Sequence, residues 1–269
     1  MATSIAANAW IDPRAEIDTE VEIGPFCMIG PGAKIGRGTR LLNNVTLMGN
    51  VTLGQNNLLY PNVVVGAEPQ DLSYQGTDTC VIVGDDNTLR EAVTVNRASE
   101  KEDGVTQIGN KNFLMAGVHV AHDCKLGDNI VIANCTLLAG HVHVNDHASI
   151  SGGCAIHHFV SIGSHSFLAP LSRALHDVPP YMLVEGIAAK PRCINIVALK
   201  RNNFSSKSID CLAVAYRLLY RSKVGLTHAR EILRSKDQFT PEVENLFAFI
   251  ETQAEGKHGR GREAVRKAA

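Results

Sequence analysis

The sequence predicts a parallel β-helix followed by a helical segment, and three observations support this prediction. First, an aliphatic residue recurs every six positions from Ile11 to Val65, from Val83 to Val95 and from Ile108 to Leu168. Second, a small or branched residue stands two positions before most of these aliphatic residues. Third, glycine often follows the aliphatic residue, as in Ile23-Gly24.

A period of six residues fits no α-helix, which repeats every 3.6 residues, but it is a multiple of the strand period of two. Three short strands joined by tight turns make one coil of about eighteen residues, with one aliphatic side chain from each strand in the interior. Cys27, Cys124 and Cys154 fall in the column of small residues. We therefore expect these cysteines to pack in the core rather than to react.

The repeat is interrupted at residues 68–79 and 97–107, which contain glycine and charged residues and lack the aliphatic pattern. We expect both segments to be loops that leave the β-helix, and loops on a rigid scaffold often carry function. With these two insertions, the β-helix is predicted to occupy residues 1–182.

A helical pattern replaces the repeat after the "DVPPY" turn, so residues 183–254 are predicted to form a helical domain. An apolar stripe begins after a cap at Ser205 or Ser206, and Thr240-Pro241 opens a last helix. The glycine-rich and basic end, residues 255–269, is expected to be disordered.

Composition limits the class of protein. Seven cysteines without a compact pairing framework favour a reducing compartment, so we expect a cytoplasmic location. We expect neither a membrane span nor a secretory leader, because no apolar run of the required length is visible.

Charge is distributed unevenly along the chain. Residues 1–195 carry 12 basic and 19 acidic residues, whereas residues 196–269 carry 14 basic and 8 acidic residues. The basic part is either a solvated surface or a docking site for an acidic partner or a phosphorylated ligand. Nucleic acid is not an expected partner, because no basic groove rich in aromatic residues is visible.

Histidines are concentrated in the later coils, where nine of the eleven lie between His119 and His176. In the stretch "HVAHDC", His122 follows the core residue Val120 by two positions. Residues eighteen apart stack on neighbouring coils, about 4.8 Å from each other. His122, Gly140 and His158 therefore form one column at a corner of the β-helix.

Three interpretations of this column stay open on the residues alone. A neutral histidine oriented by a carboxylate can accept a hydroxyl proton while a glycine N–H binds an oxyanion, which suits acyl transfer. Alternatively, His119, His122, His141 and His143 could bind zinc, as in a lyase of the carbonic-anhydrase type. The histidines could also be inert turn residues on a scaffold protein.

Several stretches resemble one family over nearly the whole chain, to about residue 250. The stretches "HVAHDC", "LLAGHVHV", "AIHHFVSIG", "HDVPPYMLVEG" and "NIVALKRNNFS" are similar to the UDP-N-acetylglucosamine O-acyltransferases of lipid A biosynthesis. The resemblance implies a homotrimer of left-handed parallel β-helices with active sites between subunits. It also implies transfer of a 3-hydroxyacyl group from acyl carrier protein to the 3-hydroxyl of UDP-N-acetylglucosamine, with no metal or other cofactor.

The same resemblance assigns roles to individual residues. It implies that His122 is the general base, that Asp123 orients it and that Gly140 donates to the oxyanion. The substrate-binding residues that it implies are Gln70, Asp71, His119, His141, His157, His158, Asn195 and Arg201.

The chain departs from the family's pattern at several of these places. Ser73 stands where the family usually has lysine, His158 replaces glutamine, Val197 replaces an acid and Asn202 replaces arginine. Because a basic group and a charged contact to the ligand are missing, a different nucleotide sugar or an amino sugar stays open as the acceptor. Pro170 stands where the family has a small residue that helps to set acyl length, so we expect a shorter acyl chain.

Overall fold

The computed structural model describes residues 2–255 and 259–262. It has the predicted fold, a left-handed parallel β-helix with a C-terminal helical region, in which three sheets form the faces of a prism. The strands of the first sheet are Ser4–Ile5, Glu22–Ile23, Arg40–Leu41, Leu58–Leu59, Thr88–Leu89, Phe113–Leu114, Val131–Ile132, Ser149–Ile150, Phe167–Leu168, Met182–Glu185 and Lys190–Ile194. Those of the second are Trp10–Ile11, Met28–Ile29, Thr46–Leu47, Val64–Ala67, Thr94–Asn96, His119–Val120, Leu137–Leu138, Ala155–Ile156 and Arg173–Ala174. Those of the third are Glu16–Ile17, Lys34–Ile35, Asn50–Leu53, Cys80–Val83, Val105–Ile108, Lys125–Leu126, His143–Val144 and Ser161–Ile162.

Successive coils pair in the register that the repeat predicts. In the second sheet His119 pairs with Leu137, which in turn pairs with Ala155, so each partner is eighteen residues further along the chain. The loops preserve this register, because Val65 still pairs with Val95 across the first insertion.

The interior contains the predicted aliphatic column. Its members are buried from Ile23 to Leu168, whereas Ile11 and Ile17 are partly buried because they lie in the first, uncovered coil. Cys27, Cys124 and Cys154 are also buried in this core, as expected from their place in the repeat.

Most corners place a residue in the left-handed backbone region. Asp123 has φ of 61° and His141 has φ of 63°, and both occupy turns between a strand of the second sheet and a strand of the third. Asparagine and aspartate tolerate this region better than most side chains. The turn geometry therefore fixes the direction of both side chains at the same corner.

The C-terminal region contains the α-helices Ile196–Arg201, Ser206–Tyr216, Leu226–Ser235 and Pro241–Ala254, and the π-helix Arg217–Arg221. The predicted caps are confirmed: Ser205 Oγ accepts a hydrogen bond from Ser208 N at 3.0 Å, and Pro241 is the first residue of the last helix. Among the described residues, no helix has both the length and the apolar character needed to cross a lipid bilayer.

The two insertions differ slightly from their predicted bounds. The first lies between the strands Val64–Ala67 and Cys80–Val83, but the second ends at Gly104 because a strand begins at Val105. The division of the chain into two domains at residue 182 stays a prediction. Within the tail predicted over 255–269, residues 256–258 and 263–269 lie outside the described residues, whereas residues 259–262 contact the β-helix.

Candidate active site

His122 and Asp123 form a hydrogen-bonded pair at the corner between the second and third sheets. His122 Nδ1 lies 2.7 Å from Asp123 Oδ2, and the Asp123 side chain is fully buried. Because an ionised carboxylate can only accept, the proton of this bond belongs to Nδ1. In the neutral ring, Nε2 is then left with a lone pair that can accept a proton from a substrate hydroxyl.

Asp123 is held from three sides. Ser99 donates to it from the backbone N–H at 3.1 Å and from Oγ at 2.7 Å, and the Asp123 N–H donates to Thr106 Oγ1 at 2.8 Å. Burial acts to raise the pKa of Asp123, but the hydrogen bonds from His122 and Ser99 outweigh it and lower the pKa below its usual value. The carboxylate is therefore ionised and fixed beside the imidazole.

Gly140 stacks directly on the His122 ring. A Cβ at position 140 would lie 2.5 Å from His122 Cε1 and 2.8 Å from Nε2, so only glycine fits beside this nitrogen. In the part of the chain that the structure describes, the Gly140 N–H donates to no carbonyl oxygen. Because the backbone at Gly140 lies against the base, we expect its N–H to donate to an oxyanion that forms there.

His141 is the neighbour of this pair on the next turn. Its ring meets the His122 ring edge-on with 5.2 Å between centroids, and it stacks on Phe159 at 4.4 Å. Glu102 from the second loop places Oε1 3.1 Å from His141 Nδ1. Burial acts against ionisation of Glu102, but His141 and Arg262 lower its pKa below the usual value.

The remaining predicted histidines lie on the same coils. His119 hydrogen-bonds Thr94 Oγ1 through Nδ1 at 2.8 Å, and burial followed by the charge of His122 lowers its pKa. The His157 and His158 rings lie 3.8 Å apart, and Arg260 donates to His157 Nδ1 at 2.7 Å. Both side chains lie on the coil that follows Gly140.

The other predicted substrate contacts lie in two regions. Gln70 is exposed on the first loop, where Asp71 bonds Ser73 and Lys101. Asn195 caps the helix Ile196–Arg201, accepting from Ala198 N at 3.3 Å and donating to His165 O at 2.9 Å.

Arg201 and Val197 are exposed, with Val197 59% accessible, on the short helix that Asn195 caps. The hydrogen bonds of Asn195 join this helix to the coil of His165 rather than to the His122–Asp123 pair.

Among the residues that touch this site, sequence reasoning missed those of the second loop and of the C-terminal segment. Ser99, Lys101 and Glu102 belong to the second loop, which has no repeat that could place them. Arg262 donates to His143 Nε2 at 2.9 Å from a segment expected to be disordered. The only available signal was the basic charge of the C-terminal part.

A metal site was the competing interpretation of the histidines. One ligand atom each from His122, Asp123 and His141 lies within 4.8 Å of the others. Among the described residues, this group includes neither His119 nor His143, which the zinc interpretation also required.

Protein-family models match three parts of the chain. Residues 177–261 match a model described as UDP-N-acetylglucosamine O-acyltransferase, domain 2, and residues 106–140 match the bacterial transferase hexapeptide repeat. Residues 5–99 match a model described as GMPPB C-terminal domain. The first two matches agree with the helical region and with the repeat.

Curated relatives and solved structures cover most of the chain. An acyl-[acyl-carrier-protein]–UDP-N-acetylglucosamine O-acyltransferase from Synechocystis sp. is 40% identical over 77% of this chain and 75% of the relative. One from Gloeothece citriformis is 42% identical over the same shares. The structure of LpxA from Acinetobacter baumannii superposes with a TM-score of 0.89 at 37% identity, covering 92% of this chain and 96% of that one. The chain belongs to the family of acyl-[acyl-carrier-protein]–UDP-N-acetylglucosamine O-acyltransferases.

Proposed function

We propose that the protein transfers a 3-hydroxyacyl group from acyl carrier protein to the 3-hydroxyl of UDP-N-acetylglucosamine. The observation that carries this proposal is the His122–Asp123 pair, whose free Nε2 faces the Gly140 backbone. A base and an oxyanion donor side by side are the two groups that acyl transfer to a hydroxyl requires.

The reaction follows from this geometry. His122 Nε2 accepts the proton of the sugar 3-hydroxyl while its oxygen attacks the thioester carbonyl carbon. The carbonyl oxygen becomes an oxyanion that accepts from the Gly140 N–H. As the intermediate collapses, the carbon–sulfur bond breaks, the ester remains on the sugar and the leaving thiolate takes the proton from His122. Asp123 stabilises the imidazolium between these two proton transfers.

The surrounding residues are proposed to bind the two substrates. His119, His141, His157 and His158 line the corner beside the base, and they would contact the acyl group and the sugar. Gln70 and Asp71 would reach the sugar from the first loop.

Asn195 and Arg201 would complete the nucleotide site from a neighbouring subunit of a homotrimer. Asn195 bonds the coil of His165 rather than the His122–Asp123 pair, which supports a site shared between subunits.

A cytoplasmic location is also proposed. All seven cysteines are free, although Cys135 and Cys193 are exposed. Exposed thiols persist in a reducing compartment and would be oxidised in most extracellular settings.

Replacing His122 by alanine tests the general base. We expect the H122A rate to fall roughly 10²–10⁴-fold because no other group replaces Nε2. Product formation is followed by mass spectrometry with acyl carrier proteins and a panel of UDP-sugars. His228→Ala, at an exposed helical site, serves as the control. Near-full activity of a folded H122A would contradict the proposed base. If the unmodified protein forms no acylated UDP-N-acetylglucosamine, the proposed acceptor is wrong.

Ser99→Ala tests whether the buried Asp123 carboxylate needs the hydrogen bond from Ser99 in addition to the one from His122. Loss of the 2.7 Å bond should lower kcat about tenfold, because a hydrogen bond to a charged group is worth more than a neutral one. Ser99→Thr keeps the hydroxyl and should retain most of the activity, and Ser149→Ala is the control on an outward-facing strand position. Equal rates for the alanine and threonine variants would exclude this role of the hydroxyl.

Chelation distinguishes the proposed mechanism from zinc chemistry. We expect activity to survive exhaustive dialysis against a chelator, since base and oxyanion donor both come from the chain. Metal content is measured on the same samples by elemental analysis. Stoichiometric zinc whose removal abolishes turnover would favour the zinc lyase instead.

Pro170 is proposed to limit the length of the acyl chain. It is exposed at a turn beside Leu171, whose side chain extends over Gly153 of the preceding coil. Each methylene that the groove buries contributes about 0.8 kcal/mol to binding of the acyl chain. If the turn at Pro170 closes the groove, Pro170→Gly should therefore shift preference toward longer acyl chains. Pro61→Gly alters the equivalent turn of an earlier coil and is the matched control. Unchanged selectivity between acyl donors of graded length in P170G would remove Pro170 from this role.

A further inference from the structure

Three nearly consecutive residues of the second loop reach three different groups of the proposed site. Ser99 donates to Asp123, and Glu102 lies against His141. Lys101, between them, donates from Nζ to Asp71 Oδ2 on the first loop. The second loop therefore connects the catalytic coils to the carboxylate that we assign to the sugar.

The Asp71 carboxylate is satisfied by one partner on each oxygen atom. Oδ1 accepts from the Ser73 N–H at 2.9 Å and from Ser73 Oγ at 2.8 Å, whereas Oδ2 accepts from Lys101. The hydrogen bond from Lys101, followed by the bonds from Ser73, holds the pKa of Asp71 well below its usual range. Both side chains of this ion pair are about three-quarters or more buried.

Other contacts hold the two loops together and keep Lys101 in reach. Arg97 donates to Tyr74 Oη at 3.2 Å and to Glu68 Oε1 at 2.9 Å, and Thr77 Oγ1 donates to Glu100 at 3.1 Å. The Asp71–Lys101 ion pair is therefore part of a contact between the two loops that several other hydrogen bonds hold in place.

The charge of the region explains why a cation is needed there. Glu102, Asp123 and Asp71 are ionised in this region, and Arg262, 3.6 Å from Glu102, offsets one of these charges. Lys125 is already engaged by Asp103 at 2.8 Å. A nucleotide sugar brings two further negative charges on its diphosphate, so a carboxylate without its cation would repel it.

We propose that Lys101 is the positioning residue that fixes Asp71 for the nucleotide-sugar acceptor and supplies the positive charge that Ser73 cannot. Ser73 and Lys101 approach the same carboxylate from two different loops, so a cation on either loop can serve it. Chains with lysine at position 73 would carry this charge on the first loop, whereas this chain carries it on the second. The inference rests on the proposed function, because it assigns Asp71 to the sugar.

Steady-state kinetics of Lys101→Met test the inference. Methionine keeps most of the length of the side chain and removes its charge. We expect the KM for UDP-N-acetylglucosamine to rise about tenfold or more, as for the loss of a charged hydrogen bond, while the KM for the acyl donor stays within about threefold. Lys111→Met, at an exposed turn, is the matched control and should leave both constants unchanged.

A relocated charge provides the decisive comparison. Ser73→Lys in the K101M background places an ammonium group beside the same carboxylate and should recover most of the acceptor KM. Three results would each overturn the inference. The Ser73→Lys change could fail to recover the acceptor KM, K101M could have the same acceptor KM as K111M, or the KM values for acceptor and acyl donor could rise equally in K101M. If the unmodified protein acylates no UDP-N-acetylglucosamine, the proposed function fails instead, and this outcome is seen before any variant is compared.

Discussion

The register between successive coils is the constraint on which the rest of the structure depends. Each strand contributes one aliphatic side chain to the interior, and a shift by one residue would turn that side chain outward. The loops at 68–79 and 97–104 must therefore return the chain in register, as the pairing of Val65 with Val95 and of Leu89 with Leu114 shows. Because the core lies in the coils, the loops are free to carry binding groups.

The same register makes part of the site predictable from sequence. Counting eighteen residues from His122 reaches Gly140, and the two are in fact stacked ring against backbone. The burial of Cys124 follows from its place in the small column in the same way. The left-handed sense of the coil did not follow from the period and came only from the resemblance to a family.

Where the period stops, prediction from sequence also stops. Thr106 occupies the small inward column two residues before Ile108, but its polar side chain concealed the beginning of the strand at Val105. Its hydroxyl is not a packing group alone, since it accepts from the Asp123 N–H. Ser99 and Lys101 could not be placed at all, because only the folded loop brings them to their carboxylates.

A buried charge explains why so many partners surround the base. Removing a carboxylate from water is costly unless hydrogen bonds replace the lost solvation. Asp123 recovers them from Ser99 and His122, so it can remain ionised in a position where solvent does not compete for the imidazole. The stabilisation of one side chain and the orientation of the proposed base thus depend on the same bonds.

Two arginines of the basic C-terminal part make contacts within the molecule. The Arg260 guanidinium donates to His157 Nδ1 at 2.7 Å and to His158 O at 2.8 Å, and Arg262 lies 3.6 Å from Glu102. Burial lowers the pKa of the Arg262 guanidinium, and the nearby Glu102 carboxylate opposes this effect. A solvated surface or a docking site for an acidic partner would leave such groups in water. These two arginines therefore lie against the β-helix at the corner where its histidines are concentrated.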